Sequence, residues 1–395
     1  MPALEQMRVL DMTQYEAGTS CTQLLAWLGA DVVKVESPRG DPGRGVSRDP
    51  TVVSQYFLNY NSNKRSIVLD LKSPAGRELF LRLVPNYDVF VENYGPGAME
   101  GLDIGYDLLR ELNPGLIYGR IKGFGLSGPY SEYNCYDWVA QAAAGAFSVT
   151  GHADGPPLMP GTTVGDSGTG VQMALAITAA FVQKQTTGLG QLIEVSMQEA
   201  VTLFMRTQGL AHWGKAPAGR TGALRGAATT AVYPCAPCGP NDYVFIMVVT
   251  TQQWDALCTA MDRHDLTSDP RFHDGAARVA NGEALAAEIS AWTMCHTKYE
   301  AMRLLAEAGV PSSATLDTTE LFTDPHLASR GFIQTVPHPI AGDITLMSNP
   351  LRMSASPTSL RAAPLLGQHT AEVLAADLGL TAAEVDALRE EGTVA

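Results

Sequence analysis

Apolar and polar positions alternate along the chain in two rhythms, and the switch between them outlines the elements. Arg8-Val9-Leu10-Asp11-Met12 is a short apolar run that predicts a strand. A turn at Glu16-Ala17-Gly18 follows, and apolar residues at helical spacing predict a helix over about Ser20 to Leu28. Asp31 to Glu36 is the next strand, so the chain opens with a βαβ unit and predicts a parallel sheet. Residues 37–60 are rich in Gly, Pro, Arg and Asp and predict a long loop. The alternation then resumes. Strands are expected at Ile67–Leu71, Asp88–Asn93, Gly115–Ile121 and Leu192–Ser196, and helices after Pro74, near Ala98–Leu109 and over Val171–Val182.

The rhythm changes near residue 220. A Gly/Arg/Ala stretch from Arg220 to Ala228 predicts a linker, followed by strand-like runs at Ala231–Cys235 and Tyr243–Val249. The turn Cys238-Gly239-Pro240-Asn241-Asp242 between them predicts an antiparallel hairpin. Helices are expected at Gln252–Met261, Gly282–Met294 and Tyr299–Ala308. After about Gly331 come strand and loop, and then an acidic helix near Thr381–Glu391. The pattern thus predicts an α/β protein with a Rossmann-like, parallel-sheet large domain over 1–220, completed by 331–395. A smaller α+β domain is predicted over 225–330. No G-x-G-x-x-G follows the first strand, so the dinucleotide fingerprint is absent.

Composition narrows the chemistry. With 45% hydrophobic and 17% charged residues in 395, the chain is enzyme-sized and well able to bury a core. The net charge of −14 argues against a nucleic-acid partner. Residues 1–125 carry 13 basic against 15 acidic side chains, so nearly all the excess lies downstream and the first third suits an anionic ligand. No apolar run approaches the roughly 20 residues of a membrane span, and no basic, apolar leader opens the chain; a cytoplasmic protein without a membrane partner is expected. Six scattered cysteines make no disulfide framework, and Cys235-x-x-Cys238 without a second pair predicts a plain turn rather than a metal site.

One stretch carries candidate chemistry. In Gly161-Thr162-Thr163-Val164-Gly165-Asp166-Ser167-Gly168-Thr169-Gly170 a carboxylate stands at the start of the apolar helix, among glycines that let a ligand approach. Asp is a favoured N-cap, which is one reading of Asp166; a reactive carboxylate kept ionised by the helix terminus is the other.

Further motifs decide between them. The chain resembles the class III CoA-transferases, the CaiB/BaiF family. The resemblance runs through Leu28-Gly29-Ala30-Asp31-Val32-Val33-Lys34-Val35-Glu36, Asn63-Lys64-Arg65-Ser66-Ile67-Val68-Leu69-Asp70-Leu71-Lys72 and Val91-Glu92-Asn93-Tyr94-Gly95-Pro96-Gly97. It continues in Asp154-Gly155-Pro156-Pro157, Gly165-Asp166-Ser167, Ser196-Met197-Gln198-Glu199-Ala200 and Pro364-Leu365-Leu366-Gly367-Gln368-His369-Thr370. It implies that Asp166 is a nucleophile that attacks an acyl-CoA thioester and then carries CoA to a carboxylic acid. Backbone N–H groups of the glycine-rich turn are the expected oxyanion donors. It implies CoA contacts at Ala17, Lys72, Asn93, Tyr94, Lys122 and Met197, and an interlocked homodimer. Because CoA carries several phosphate charges, the basic residues Arg39, Lys64 and Arg65 at the ends of N-terminal strands join them as candidates, with Leu71 beside Lys72. No metal and no tightly bound cofactor are expected, CoA being a substrate.

Three positions depart from the formyl-CoA:oxalate branch. Glu16 replaces a glutamine, Asn134 a lysine, and the Cys238-Gly239-Pro240-Asn241 turn a glycine lid, so an acceptor other than oxalate is expected. Glu16 is also expected to raise the pKa of Asp166. The racemase branch of the same fold pairs its aspartate with a His–Asp dipeptide, where this chain has Tyr136-Asp137. Tyrosine titrates near 10 and is a poor base at neutral pH. Glu16, Tyr136 and Asp137 therefore join Asp166 as candidate catalytic residues of a transferase. A 2-methylacyl-CoA racemase and a catalytically silent acyl-CoA-binding protein are the alternatives.

Overall fold

The computed structural model describes residues 1–47, 49, 52–223 and 228–395; part of the expected linker, 224–227, and residues 48, 50 and 51 of the expected loop lie outside it. The described chain divides into two compact units. The first comprises 1–146, 159–210 and 331–395, the second 147–158 and 211–330.

The first unit is built on six parallel strands: β1 (Arg8–Met12), β2 (Asp31–Glu36), β3 (Arg65–Val68), β4 (Val89–Glu92), β5 (Ile117–Lys122) and β6 (Leu192–Ser196). Their order is β3-β2-β1-β4-β5-β6. Register is tight, with Leu10 beside Val33 and Phe90. Strands buried on both faces read as apolar runs because each face meets its own layer of helices. One layer comprises α1 (Ala17–Trp27), α7 (Ser167–Thr187) and α8 (Met197–Phe204), which cover Val9, Val32, Val91 and Ile121 with Leu25, Met173, Ile177 and Val201. On the opposite face, α3 (Pro74–Leu83) and α5 (Tyr106–Leu112) cover Leu10, Val33 and Phe90 with Leu79, Phe80 and Leu109. Two C-terminal helices, Thr370–Leu378 and Ala382–Glu390, complete that layer through Val373, Leu374 and Val385. The short helices α2 (Gln55–Asn61), α4 (Ala98–Gly101) and α6 (Asp137–Ala143) lie in the connections.

Two sequence expectations are corrected here. The loop over 37–60 contains α2, capped by the Ser54 hydroxyl on the Phe57 amide. The single helix expected over Ala98–Leu109 is instead α4 and α5, separated at Asp103, whose φ of 53° no helix interior accommodates.

The second unit carries the antiparallel sheet β7 (Thr230–Pro234), β8 (Tyr243–Met247) and β9 (Ser312–Ala314). Helices Thr251–Ala260, Gly282–Thr293 and Lys298–Glu307 enclose a core around Tyr233, Ile246, Trp254 and Phe272. Residues 147–158 and 211–220, expected in the large domain, belong to this unit. The reason is local: the Arg220 guanidinium donates to the carbonyls of Ser148, His152 and Gly155 and ties the two segments together. The Cys235/Cys238 turn closes the β7–β8 hairpin, with Cys235 buried and Cys238 exposed. The remaining hairpin, β10 (Ile333–His338) with β11 (Gly342–Met347), belongs to the first unit.

Candidate active site

In a sheet of this order the strand sequence reverses between β1 and β4, and ligands bind off the carboxyl ends of the strands at that switch. The pocket is there. It has a volume of about 170 Å3 and its walls come from the segments after β1, β4 and β5: Gln14–Ala17, Asn93–Pro96 and Ile121–Gly123. Tyr133 to Tyr136, Asp166 and Met197 close it.

Asp166 reaches the wall because α7 lies close against α1. A Cβ on Gly170 would stand 2.7 Å from the Ala17 carbonyl and 2.8 Å from the Ser20 side chain, so only glycine permits this helix approach. Asp166 occupies the N-cap position of α7, yet its side chain caps nothing. Its amide donates to Asp137 Oδ1 at 3.0 Å, and Gly165 leaves the space for that carboxylate: an added Cβ would meet Asp137 Oδ1 at 2.8 Å. Asp137 Oδ2 in turn accepts from Gln141 Nε2 at 2.7 Å. Asp137 is thus a holder of the Asp166 backbone and does not line the pocket. Tyr136 does; it is 65% exposed and sets its ring edge-on to Tyr15 at 6.2 Å.

The electrostatics correct one expectation and agree with another. The helix terminus does not keep Asp166 at an ordinary carboxylate value: burial, then the charges of Glu16 and Asp137, push it up to about 8. Two of the amides of the glycine turn expected to serve as oxyanion donors are committed elsewhere. Ser167 N donates to the Thr163 carbonyl at 2.9 Å and Gly168 N to Val164 at 3.1 Å, which removes them from the pocket. Beside it in the wall, α1 begins at Ala17 with no side-chain cap, so its first turn presents helix-terminal amides there.

Glu16 is 3% exposed and accepts from Ser167 Oγ at 2.7 Å. The Tyr60 hydroxyl also bonds Glu16, and Tyr56 packs edge-on against Tyr60 at 5.1 Å. Both tyrosines sit on α2, one turn apart, and both feel the charge of Glu16, so burial and that charge raise their phenols. Sequence reading missed them. The signal was present in Ser54 as a cap followed by Tyr56 and Tyr60 at i, i+4 spacing.

A model of CoA-transferase family III matches residues 4–370. The chain belongs to that family. It is 41% identical to the formyl-CoA:oxalate CoA-transferase of Streptomyces avermitilis, over 99% of each chain, and 38% identical to that of Rhodopseudomonas palustris, over 99% of this chain and 97% of the relative. Among solved structures, a CaiB/BaiF family protein from Brucella suis superposes with a TM-score of 0.84 at 30% identity, covering 95% of this chain and 99% of that one. Rv3272 from Mycobacterium tuberculosis gives 0.81 at 28%, covering 94% and 98%. The protein is a class III CoA-transferase, and CoA thioesters are its substrates.

In this CoA-transferase the candidate residues fall into three groups. Glu16, Ala17, Asn93, Tyr94, Lys122, Tyr136, Asp166 and Met197 meet at the one pocket. Arg39 and Lys72 are exposed, shortly after the carboxyl ends of β2 and β3, and Leu71 packs partly into the core beneath. Lys64 and Arg65 are corrected. Lys64 is buried with its ammonium on Asp11 at 2.9 Å and on the Thr19 carbonyl at 3.1 Å. Arg65 pairs with Asp31 at 2.6 Å and Glu372 at 3.0 Å. Lys64 is thus tied down inside the fold, and the half-buried Arg65 is already paired with two carboxylates. Among the described residues no helix is long and apolar enough to cross a membrane.

Proposed function

We propose that Asp166 is the nucleophile that moves CoA from an acyl-CoA to a carboxylic acid. The observation that carries this is its place: a partly buried carboxylate in the wall of the switch-point pocket, beside the start of α1. Its carboxylate attacks the thioester carbonyl, the C–S bond breaks, and CoA thiolate leaves behind a mixed anhydride. The thiolate then attacks the aspartyl carbonyl, the first acid departs, and Asp166 holds CoA as a thioester. The acceptor carboxylate attacks that carbonyl and displaces the thiolate. Finally the thiolate takes the acceptor's acyl group and frees Asp166 as a carboxylate. One difficult exchange is thereby split into four easier ones.

The first-turn amides of α1 are suited to the oxyanions, because dipoles fixed before reaction stabilise charge as it develops. Asn93, Tyr94, Lys122 and Met197 line the same pocket and are assigned to the pantetheine end of CoA; Arg39, Leu71 and Lys72, around the same sheet edge, are assigned to its nucleotide end. Lys122 is held by Glu92 at 2.9 Å and the Tyr94 carbonyl at 2.6 Å, which fits a wall residue rather than a mobile phosphate clamp. The acting species is expected to be a homodimer.

The test is mass spectrometry after incubation with an acyl-CoA panel (formyl-, acetyl- and succinyl-CoA) and trapping with hydroxylamine or borohydride. Modification at Asp166 that disappears in Asp166→Ala is the expected result. Exchange of the α-proton into solvent without labelling would replace transfer by racemisation. Binding with neither reaction would leave an acyl-CoA-binding protein.

A further inference from the structure

We infer that Glu16 selects the acceptor: an acid bearing one carboxylate and, next to it, a neutral hydrogen-bond donor, while acids with a second carboxylate at that place are turned away. This rests on the proposed role of Asp166 and adds the substrate class.

Glu16 cannot swing out of the pocket. Ser167 Oγ holds its Oε1 at 2.7 Å and Tyr60 bonds it from α2. The segment before it is fixed by a wholly buried lysine, because Lys34 Nζ donates to the Thr13 carbonyl at 2.7 Å and to Asp41 at 2.8 Å. Asp41 Oδ1 accepts the Tyr15 amide at 3.2 Å, one residue from Glu16.

Ser167 and Tyr60 hydrogen-bond Glu16, but no lysine or arginine among the described lining residues pairs with it. Lys122 is the one lysine or arginine among the described lining residues, and its ammonium is held in place by Glu92, which it shares with Arg120, and by the Tyr94 carbonyl. When the acceptor arrives, Asp166 is a neutral thioester and the acceptor's reacting carboxylate points at its carbonyl. A second carboxylate on a short diacid then faces Glu16. Two like charges about 5–6 Å apart, at an effective dielectric near 20, weaken binding roughly a hundredfold. An amide or hydroxyl at the same place donates a charge-assisted hydrogen bond to Glu16 instead.

Oxalate and oxamate test this, since they share a shape and differ by replacement of one carboxylate with an amide. Their Kd values are measured by calorimetry at pH 7 on the CoA-saturated protein. Wild type is expected to bind oxamate at least thirtyfold more tightly than oxalate, and in Glu16→Gln that ratio is expected to fall at least tenfold. Near-equal affinities in wild type, a ratio unchanged in a folded Glu16→Gln, or no binding of either acid overturns the inference. Isotope exchange between free CoA and an acyl-CoA, run without acceptor, reads the attack of Asp166 on the thioester with no acceptor acid involved. Absence of that exchange defeats the proposed function, whereas exchange with equal acid affinities defeats only the role of Glu16.

Discussion

The role proposed for Asp166 needs an anion, yet its surroundings favour the protonated form to about pH 8, with burial the largest cause and the charge of Glu16 next. The rate of the first half-reaction is therefore expected to rise about tenfold per pH unit below 8 and to level off above it. In Glu16→Gln the levelling point moves to lower pH, measured as the pH profile of acyl-CoA/CoA exchange; an unmoved profile would remove Glu16 from the titration. Stability runs the other way. The native state holds a proton on Asp166 that the unfolded chain releases near pH 4, so between pH 4 and 8 the fold loses stability as pH rises. Asp166→Asn is expected to melt a few degrees above wild type at pH 8.5 and level with it at pH 4, by calorimetry.

How far a residue's role was legible depended on the distance over which it is decided. Asp166, Asn93, Tyr94 and Lys122 each lie in or directly after a strand or turn that the apolar rhythm already located, so the parallel sheet carries them to one edge. Lys64 is different: its partner Asp11 is 53 residues away, and no local pattern says that a lysine in a turn is bound inward. The Ser167 and Gly168 amides of the glycine turn are taken up for a related reason, because their acceptors are set by how that turn closes on Thr163 and Val164.

At the scale of elements, the site is a product of two helix contacts. The α1–α7 approach places Asp166 beside the start of α1, and α2 supplies Tyr60 to Glu16. The sheet order was reachable from the strand–helix alternation, whereas α2, seven residues long beside a Gly/Pro-rich stretch, was announced only by its Ser54 cap and the Tyr56/Tyr60 spacing and is easily passed over. Gly170→Ala tests the first contact. Its Cβ would press on Ala17 O, Ser20 Cβ and Cys21 N at 2.7–2.9 Å, so the helices must part by several tenths of an ångström. A loss of about 1–3 kcal/mol in denaturant unfolding is expected. A tenfold or larger fall in kcat, with little change in the KM for acyl-CoA, should accompany it if Asp166 is the nucleophile as proposed, because Asp166 moves while the loops after β4 and β5 stay. Stability lost without any loss of kcat would show that the approach serves packing alone.

For the whole molecule, the outer face of α7 poses the remaining question. Val171, Leu175 and Val182 are 54%, 71% and 64% exposed on this helix, and Leu203 and Phe204 at the end of α8 are also open to solvent. Single exposed apolar side chains are ordinary, but a row of them along a 21-residue helix marks a contact surface. Identical chains most often close such a surface on a twofold axis. The face lies on the helix that begins at Asp166, so a partner seated there would also hold the nucleophile's helix in place. Light scattering at micromolar concentration is expected to give the mass of two chains for wild type and of one for Leu175→Arg/Val182→Arg, whose circular dichroism should stay native because both positions are outside the core. The monomer is expected to lose most acyl exchange. A wild type of single-chain mass, or a double variant that stays dimeric, would place the subunit contact elsewhere.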